Sequence, residues 1–247
     1  MSSSTLNSYT HTIITHNLAQ PFNKPALALL VLFLSIMAFQ MPSFLTKLVR
    51  PFTTSMGRPL VPDSLAARDF PAGTERAIFA GGCFWGLEEL YRKDWEGKGL
   101  LDCRVGYTGG QSEAPDYRSV CSGRTGHAES LLVAFDSSKV SYRQMVEYFF
   151  SMHDPTTLNR QGADTGTQYR SAIFYENEDQ KGIAEQVKEQ VGKEWYKGKP
   201  ITTEIRAATK WYDAEDYHQD YLKKEPFGYH CPAHYVRKLP KLSEEKM

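Results

Sequence analysis

This sequence has little that could staple it, bind a metal or give it a charge of one sign. Its 247 residues include four cysteines, Cys83, Cys103, Cys121 and Cys231, and no two of them form a CxxC pair. So few and so scattered, they exclude a disulfide scaffold, a thioredoxin-type dithiol motif and zinc-finger spacing. No HExxH and no GxGxxG occurs, which removes the commonest signatures of zinc hydrolases and dinucleotide enzymes. Lys+Arg and Asp+Glu both number 29, so there is no basic surplus to hold nucleic acid. No apolar run reaches the roughly 20 residues of a membrane span, and no internal repeat is visible.

Acidic residues are missing altogether from positions 1–62, where the only basic ones are Lys24, Lys47, Arg50 and Arg58. Removing those four leaves 25 basic against 29 acidic residues in 63–247, a formal charge of −4. The longest apolar stretch, Ala26 to Phe39, is 14 residues broken only by Ser35. That length suits a signal-peptide core or a marginal anchor. From Met41 the chain reads MPSFLTKLVRPFTTSMGR, basic, rich in hydroxyls and free of acids, as in a mitochondrial transit peptide. Met41 also reads as a second translation start. The plain alternative is an extension that carries no address. The expected organisation is a leader over 1–62 and a single domain with a C-terminal tail over 63–247. The expected location is the mitochondrion and/or cytoplasm, with membrane association or secretion left open by the apolar segment.

Past an arm at 63–76, the pattern predicts a strand at Arg76 to Ala80 that ends in Gly81-Gly82. Phe84, Leu87, Leu90 and Tyr91 then fall at helical spacing. Strands are expected at Leu101 to Tyr107, Glu129 to Phe135 and Ser171 to Tyr175. Helices are expected at Val140 to Met152, with Ser141 as a cap, and at Glu178 to Trp195. An edge strand at Thr202 to Ile205, a short helix at Ala214 to Leu222 and a long C-terminal coil complete the chain. The order predicts an α+β fold, a ferredoxin-like two-layer βαββαβ sandwich with additional helices.

Cys83 stands between a strand end and a helix start. A helix start offers unpaired N–H groups and partial positive charge, which stabilise a thiolate and predict a lowered pKa. Phe84 and Trp85 follow at once and can wall a small apolar pocket. The same residues also fit a buried core cysteine with packing aromatics. The long loop from Thr108 to Gly126 supplies Tyr117, and Glu129 begins the next strand. A carboxyl group entering an apolar layer has its pKa raised and can act as an acid near neutral pH. A solvated strand-end glutamate is the alternative. Asp164 and Tyr169 lie in a polar, glycine-punctuated stretch before the following strand.

These stretches resemble the peptide-methionine sulfoxide reductase A family. The resemblance runs from about Arg76 to Tyr235. It rests on Gly82-Cys83-Phe84-Trp85-Gly86, Gly123 to Glu129, His153-Asp154-Pro155, Gly166 to Ser171 and Ala214 to Gln219, in that order. It implies that Cys83 is the nucleophile and that Phe84 and Trp85 receive the S-methyl group. It implies further that Glu129 protonates the sulfoxide oxygen, that Tyr117 and Tyr169 hydrogen-bond it, and that Asp164 organises the site. The implied substrate is the S epimer of methionine sulfoxide, in proteins or free, and the implied reductant is thioredoxin. A monomer is expected, with no metal, flavin or nicotinamide in the protein. Cys231, in what reads as a mobile tail, is expected to resolve the Cys83 sulfenic acid as a disulfide. Many relatives carry a further cysteine after a glycine-rich tail. This chain has Pro232-Ala233-His234-Tyr235 and no later cysteine, which favours a two-cysteine relay. Cys121 is read as non-catalytic, Cys103 as core, and most histidines as structural. Two rivals remain open: a thiol peroxidase or general disulfide exchanger, and a sulfoxide-binding module without catalysis.

Overall fold

The computed structural model describes residues 70–243. The apolar run Ala26 to Phe39, the basic stretch from Met41 and the rest of the leader lie outside the described residues. Among the described residues no helix is long and apolar enough to cross a membrane.

The elements in chain order are β1 (Thr74–Gly81), α1 (Phe84–Trp95), β2 (Leu100–Thr108), α2 (Tyr117–Cys121), β3 (Ala128–Asp136), α3 (Tyr142–Met152), β4 (Arg160–Gln161), β5 (Asp164–Thr165), β6 (Ser171–Tyr175), α4 (Glu178–Gln190), β7 (Glu204–Ala207), β8 (Tyr212–Asp213) and α5 (Tyr221–Lys224). The main sheet runs β7-β6-β1-β3-β2-β8. Each of its four inner strands runs antiparallel to its neighbours among them, the arrangement of a ferredoxin-like βαββαβ unit, as the element order predicts. β7 extends one edge in parallel with β6, and β8 extends the other antiparallel to β2.

Both faces of the inner strands are apolar, and strand alternation divides them. Ala77, Phe79, Leu131, Val133, Phe135 and Ile173 join the core beneath the helices, together with Phe84, Leu87, Tyr91, Phe149 and Val187. Ile78, Ala80, Ala128, Leu132, Ala172 and Phe174 face the other way, under Trp211 and Ala208. Cys103 is fully buried in the first layer, as expected for a core residue. The α3 cap is a capping box. The Ser141 side chain accepts from the Gln144 N–H, and the Gln144 side chain accepts from the Ser141 N–H. Such a cap contributes about 1 kcal/mol.

Four readings need correction. The loop from Thr108 to Gly126 contains α2, capped by Asp116 and Ser119. The helix expected over Glu178 to Trp195 is α-helical only to Gln190 and widens into a π turn over Val191–Trp195. The edge strand lies two residues later, at Glu204–Ala207. No helix spans Ala214 to Leu222. That stretch is mostly turn, and α5 begins only at Tyr221. Its polar side chains are used elsewhere. Gln219 accepts from the Val105 N–H at 3.0 Å and donates to the Val105 and Ala214 carbonyls at 2.9 Å each. Glu215 accepts from the Tyr117 N–H and the Tyr107 hydroxyl at 2.9 Å each. These long-range bonds outweigh a local helical preference.

Candidate active site

Glu129 falls on the helix-facing side of β3, in line with Leu131, Val133 and Phe135. Its carboxyl group therefore enters the apolar layer under the start of α1. It is 2% exposed and accepts from the Phe84 N–H at 3.2 Å. Burial pushes its pKa up to about 8, despite the opposing Phe84 hydrogen bond, and Asp164 adds to the rise. At neutral pH Glu129 carries a proton.

Cys83 is the N-cap of α1. The turn into it needs glycine at Gly82, where φ is +100° and a Cβ would sit 2.6 Å from the Gln161 side chain. The expected lowering of the Cys83 pKa is reversed. Burial pushes the thiol well up, and a negative Glu129 and Asp164 push it further, although a backbone hydrogen bond from Trp85 opposes them. The helix start supplies the predicted donor, but desolvation and a carboxylate from β3 outweigh it. A Cys83 thiolate and an ionised Glu129 disfavour one another, so a protonated Glu129 is the condition under which the thiolate forms most readily.

An open cavity of about 420 Å³ stands over this pair. Phe84, Trp85, Tyr117, Asp164 and Tyr169 line it with Cys83 and Glu129, and Ala163 and Tyr229 complete the wall. The structure thus brings all the expected substrate-facing residues together. Tyr117 is presented by the first turn of α2, Asp164 by the β4–β5 ribbon and Tyr169 by a 3-10 turn at Thr167–Tyr169. Burial first, then neighbouring negative groups, raises both phenols, so both remain donors at neutral pH.

Cys231 is not one of the lining residues. Its sulfur lies 3.8 Å from the Gln161 carbonyl and faces the Asp164 carboxylate. Burial and a hydrogen bond to Asp164 push its pKa up to about 11. Cys231 itself is 4% exposed, although its neighbours His230 and Pro232 are exposed. Cys121, read as non-catalytic, is not one of the lining residues either. It lies within hydrogen-bonding reach of the Tyr117 and Tyr169 hydroxyls.

Sequence reasoning missed three residues. Tyr229 walls the cavity and donates to Asp164 at 3.0 Å. His218 accepts from the Trp85 indole N–H at 3.0 Å, and its ring lies 4.4 Å from that of Tyr117. Tyr221 stacks on Trp85 at 3.8 Å. Tyr221 follows Asp220, whose N–H donates to the buried Glu88 at 2.8 Å. The sequence signals were the cluster Tyr217-His218 and the pair Phe227, Tyr229 beside Cys231, too general to single out one ring. Among the described residues no cluster of His, Cys, Asp and Glu could hold a metal ion.

A thiol, a protonated carboxyl group and two phenols thus face one cavity. Comparison with known proteins agrees in fold and sequence. The family profile described as peptide methionine sulfoxide reductase matches residues 75–247. A probable peptide methionine sulfoxide reductase of Schizosaccharomyces pombe is 52% identical over 162 residues, covering 65% of this chain and 95% of the relative. Peptide methionine sulfoxide reductase MsrA of Deinococcus radiodurans is 49% identical over 173 residues, covering 70% and 82%. The crystal structure of reduced Mxr1 from Saccharomyces cerevisiae superposes with a TM-score of 0.66 at 40% identity, over 69% of this chain and 96% of that one. The profile match takes in every strand and helix described except the first residue of β1, and the chain belongs to the peptide methionine sulfoxide reductase family.

Proposed function

We propose that this protein reduces the S epimer of methionine sulfoxide, in proteins and as the free amino acid, to methionine. The observation that carries the reading is the protonated, buried Glu129 beside Cys83 at the start of α1. The sulfoxide S–O bond is polar, with positive sulfur. Glu129 protonates the oxygen, and Tyr117 and Tyr169 donate to it as charge develops. The Cys83 thiolate attacks the sulfur. The substrate S–O bond breaks, the oxygen passes to Cys83 as a sulfenic acid, and methionine leaves with two fewer oxidation equivalents. Glu129 regains its proton from water. Asp164 and Tyr229 hold the wall of the cavity through their mutual hydrogen bond.

A chiral sulfoxide has one orientation that puts methyl on Phe84 and Trp85 while oxygen meets the donors. Turnover with separated epimers and thioredoxin as reductant should therefore be confined to the S form. Equal rates on the two epimers would overturn the assignment.

Regeneration runs through Cys231, whose sulfur lies 3.8 Å from the carbonyl of Gln161, the residue whose side chain packs on Gly82 beside Cys83. The resulting disulfide is then open to attack by the thiolate of thioredoxin. Cys231→Ser enzyme is expected to release one methionine per active site and then stall with thioredoxin. A small thiol such as dithiothreitol should restore turnover. Thioredoxin-linked turnover that is undiminished in this variant would remove Cys231 from the cycle.

A further inference from the structure

The tail that carries Cys231 is fastened a second time, against the loop of the nucleophile itself. The His234 N–H donates to the Cys231 carbonyl at 3.0 Å. Residues 231–234 thus form one turn, with the cysteine at one end and the imidazole at the other. His234 Nε2 lies 2.7 Å from the Gly81 carbonyl. A carbonyl only accepts, so Nε2 carries the proton and Nδ1 does not. Nδ1 is buried without a hydrogen-bond partner.

The ring occupies a slot cut by the two glycines that flank Cys83. A Cβ at Gly86 would collide with Nδ1, and one at Gly82 would lie 3.1 Å from Nε2. Beyond the slot the tail is tied to the end of α3. The Tyr235 N–H donates to Met152 at 3.3 Å, the Arg237 N–H donates to Ser151 at 3.0 Å, and Arg237 Nη2 returns to the Ala233 carbonyl at 3.3 Å. His234 does not line the cavity, and the reductive step makes no use of it.

We infer that His234 is a positioning residue for disulfide formation, clasping the Cys231 turn onto the Gly81–Gly86 segment that holds Cys83. The inference rests on the Cys83–Cys231 relay proposed above. In that step the Cys231 sulfur attacks the Cys83 sulfenic sulfur. The S–S bond forms, the S–O bond breaks, and hydroxide leaves as water with the Cys231 proton. Cys231 is oxidised by one equivalent and Cys83 reduced by one, so no outside reductant takes part. The attack needs the two Cα atoms within about 7 Å. A turn pinned three residues from the attacking sulfur keeps the thiol at high effective concentration.

The test uses full-length reduced enzyme, wild type, His234→Ala and His234→Gln, mixed with one equivalent of methionine sulfoxide. Methionine release, thiol loss and trapping of the sulfenic acid by dimedone are followed in time. His234→Ala should release methionine at the wild-type rate, form the disulfide about 10- to 100-fold more slowly, and accumulate trappable sulfenic acid. His234→Gln, which keeps an N–H donor for Gly81, should recover part of the loss. Wild-type disulfide formation in His234→Ala would overturn the inference. So would an equal fall in methionine release and disulfide formation, which marks a merely structural role. Cys231→Ser run in parallel separates the two proposals: if it does not stall, the relay itself fails, whereas a stalled Cys231→Ser beside an unaffected His234→Ala defeats the clasp alone.

Discussion

Cys83→Ser enzyme should release no methionine, even in a single turnover with a stoichiometric amount of S-sulfoxide. Serine nearly matches cysteine in size, and the position is an N-cap that serine favours, so the fold should be kept. The chemistry cannot be. A hydroxyl does not ionise near neutral pH, and its oxygen has no counterpart of the sulfenic acid in which to store the transferred oxygen. Mass spectrometry of the mixture, with circular dichroism to confirm folding, checks the outcome. Methionine formed by the serine variant at anything near the wild-type rate would show that another group carries the reaction. Wild-type enzyme that consumes peroxide but not methionine sulfoxide would instead favour a thiol peroxidase.

Glu129→Gln should separate two properties that usually move together, the reactivity of the thiol and the rate of reduction. Gln can still accept from the Phe84 N–H, but it has no proton to give. The reductive step should slow by about 10²–10⁴-fold. Cys83 should nevertheless become easier to ionise. Glu129, with its pKa at about 8, is charged in the range where the thiol titrates, and that charge pushes the Cys83 pKa up. The pH profile of Cys83 alkylation by iodoacetamide should therefore shift to lower pH in the variant. A faster-alkylating thiol that reduces sulfoxide slowly identifies the carboxyl as an acid catalyst. A single-turnover rate equal to wild type would exclude that role. Stability carries the same sign. The folded pKa of Glu129 lies above its ordinary value of 4.5, so the wild type loses stability as pH rises from about 4.5 through about 8. The Gln variant lacks this loss and should be the more stable protein at alkaline pH, as urea titrations at two pH values would measure.

Much of the scaffold can be read along the chain because its causes are local. The alternation in Ala77 to Ala80 and Leu131 to Phe135 gives the central strands, and Ser141 with Gln144 gives the start of α3. The glycine pair before Cys83 gives the turn that exposes it to the helix start. The cavity-lining residues Cys83, Phe84, Trp85, Tyr117, Glu129, Asp164 and Tyr169 were legible as members of a family pattern rather than one by one. What was hidden depends on partners far away in sequence. The raised Cys83 pKa comes from burial and from Glu129, 46 residues on. The lost helix at Ala214 to Leu222 comes from Gln219 and Glu215 bonding to β2 and α2. The roles of His218 and His234 depend on Trp85 and Gly81, each more than 130 residues upstream. No composition or period records such meetings.

The bonds that Gln219 makes have a further result at the border of the sheet. β8 pairs with β2 only at Gly106 and Tyr107, and a short outer strand leaves the next residue's amide and carbonyl open to a neighbouring molecule. At Val105 one side-chain amide meets both groups, and the Ala214 N–H adds a second donor to the carbonyl. Gln219 stands in for one more residue of outer strand. Two copies of the protein meeting edge to edge at Val105 find its hydrogen-bonding groups already taken, which guards this edge against strand addition.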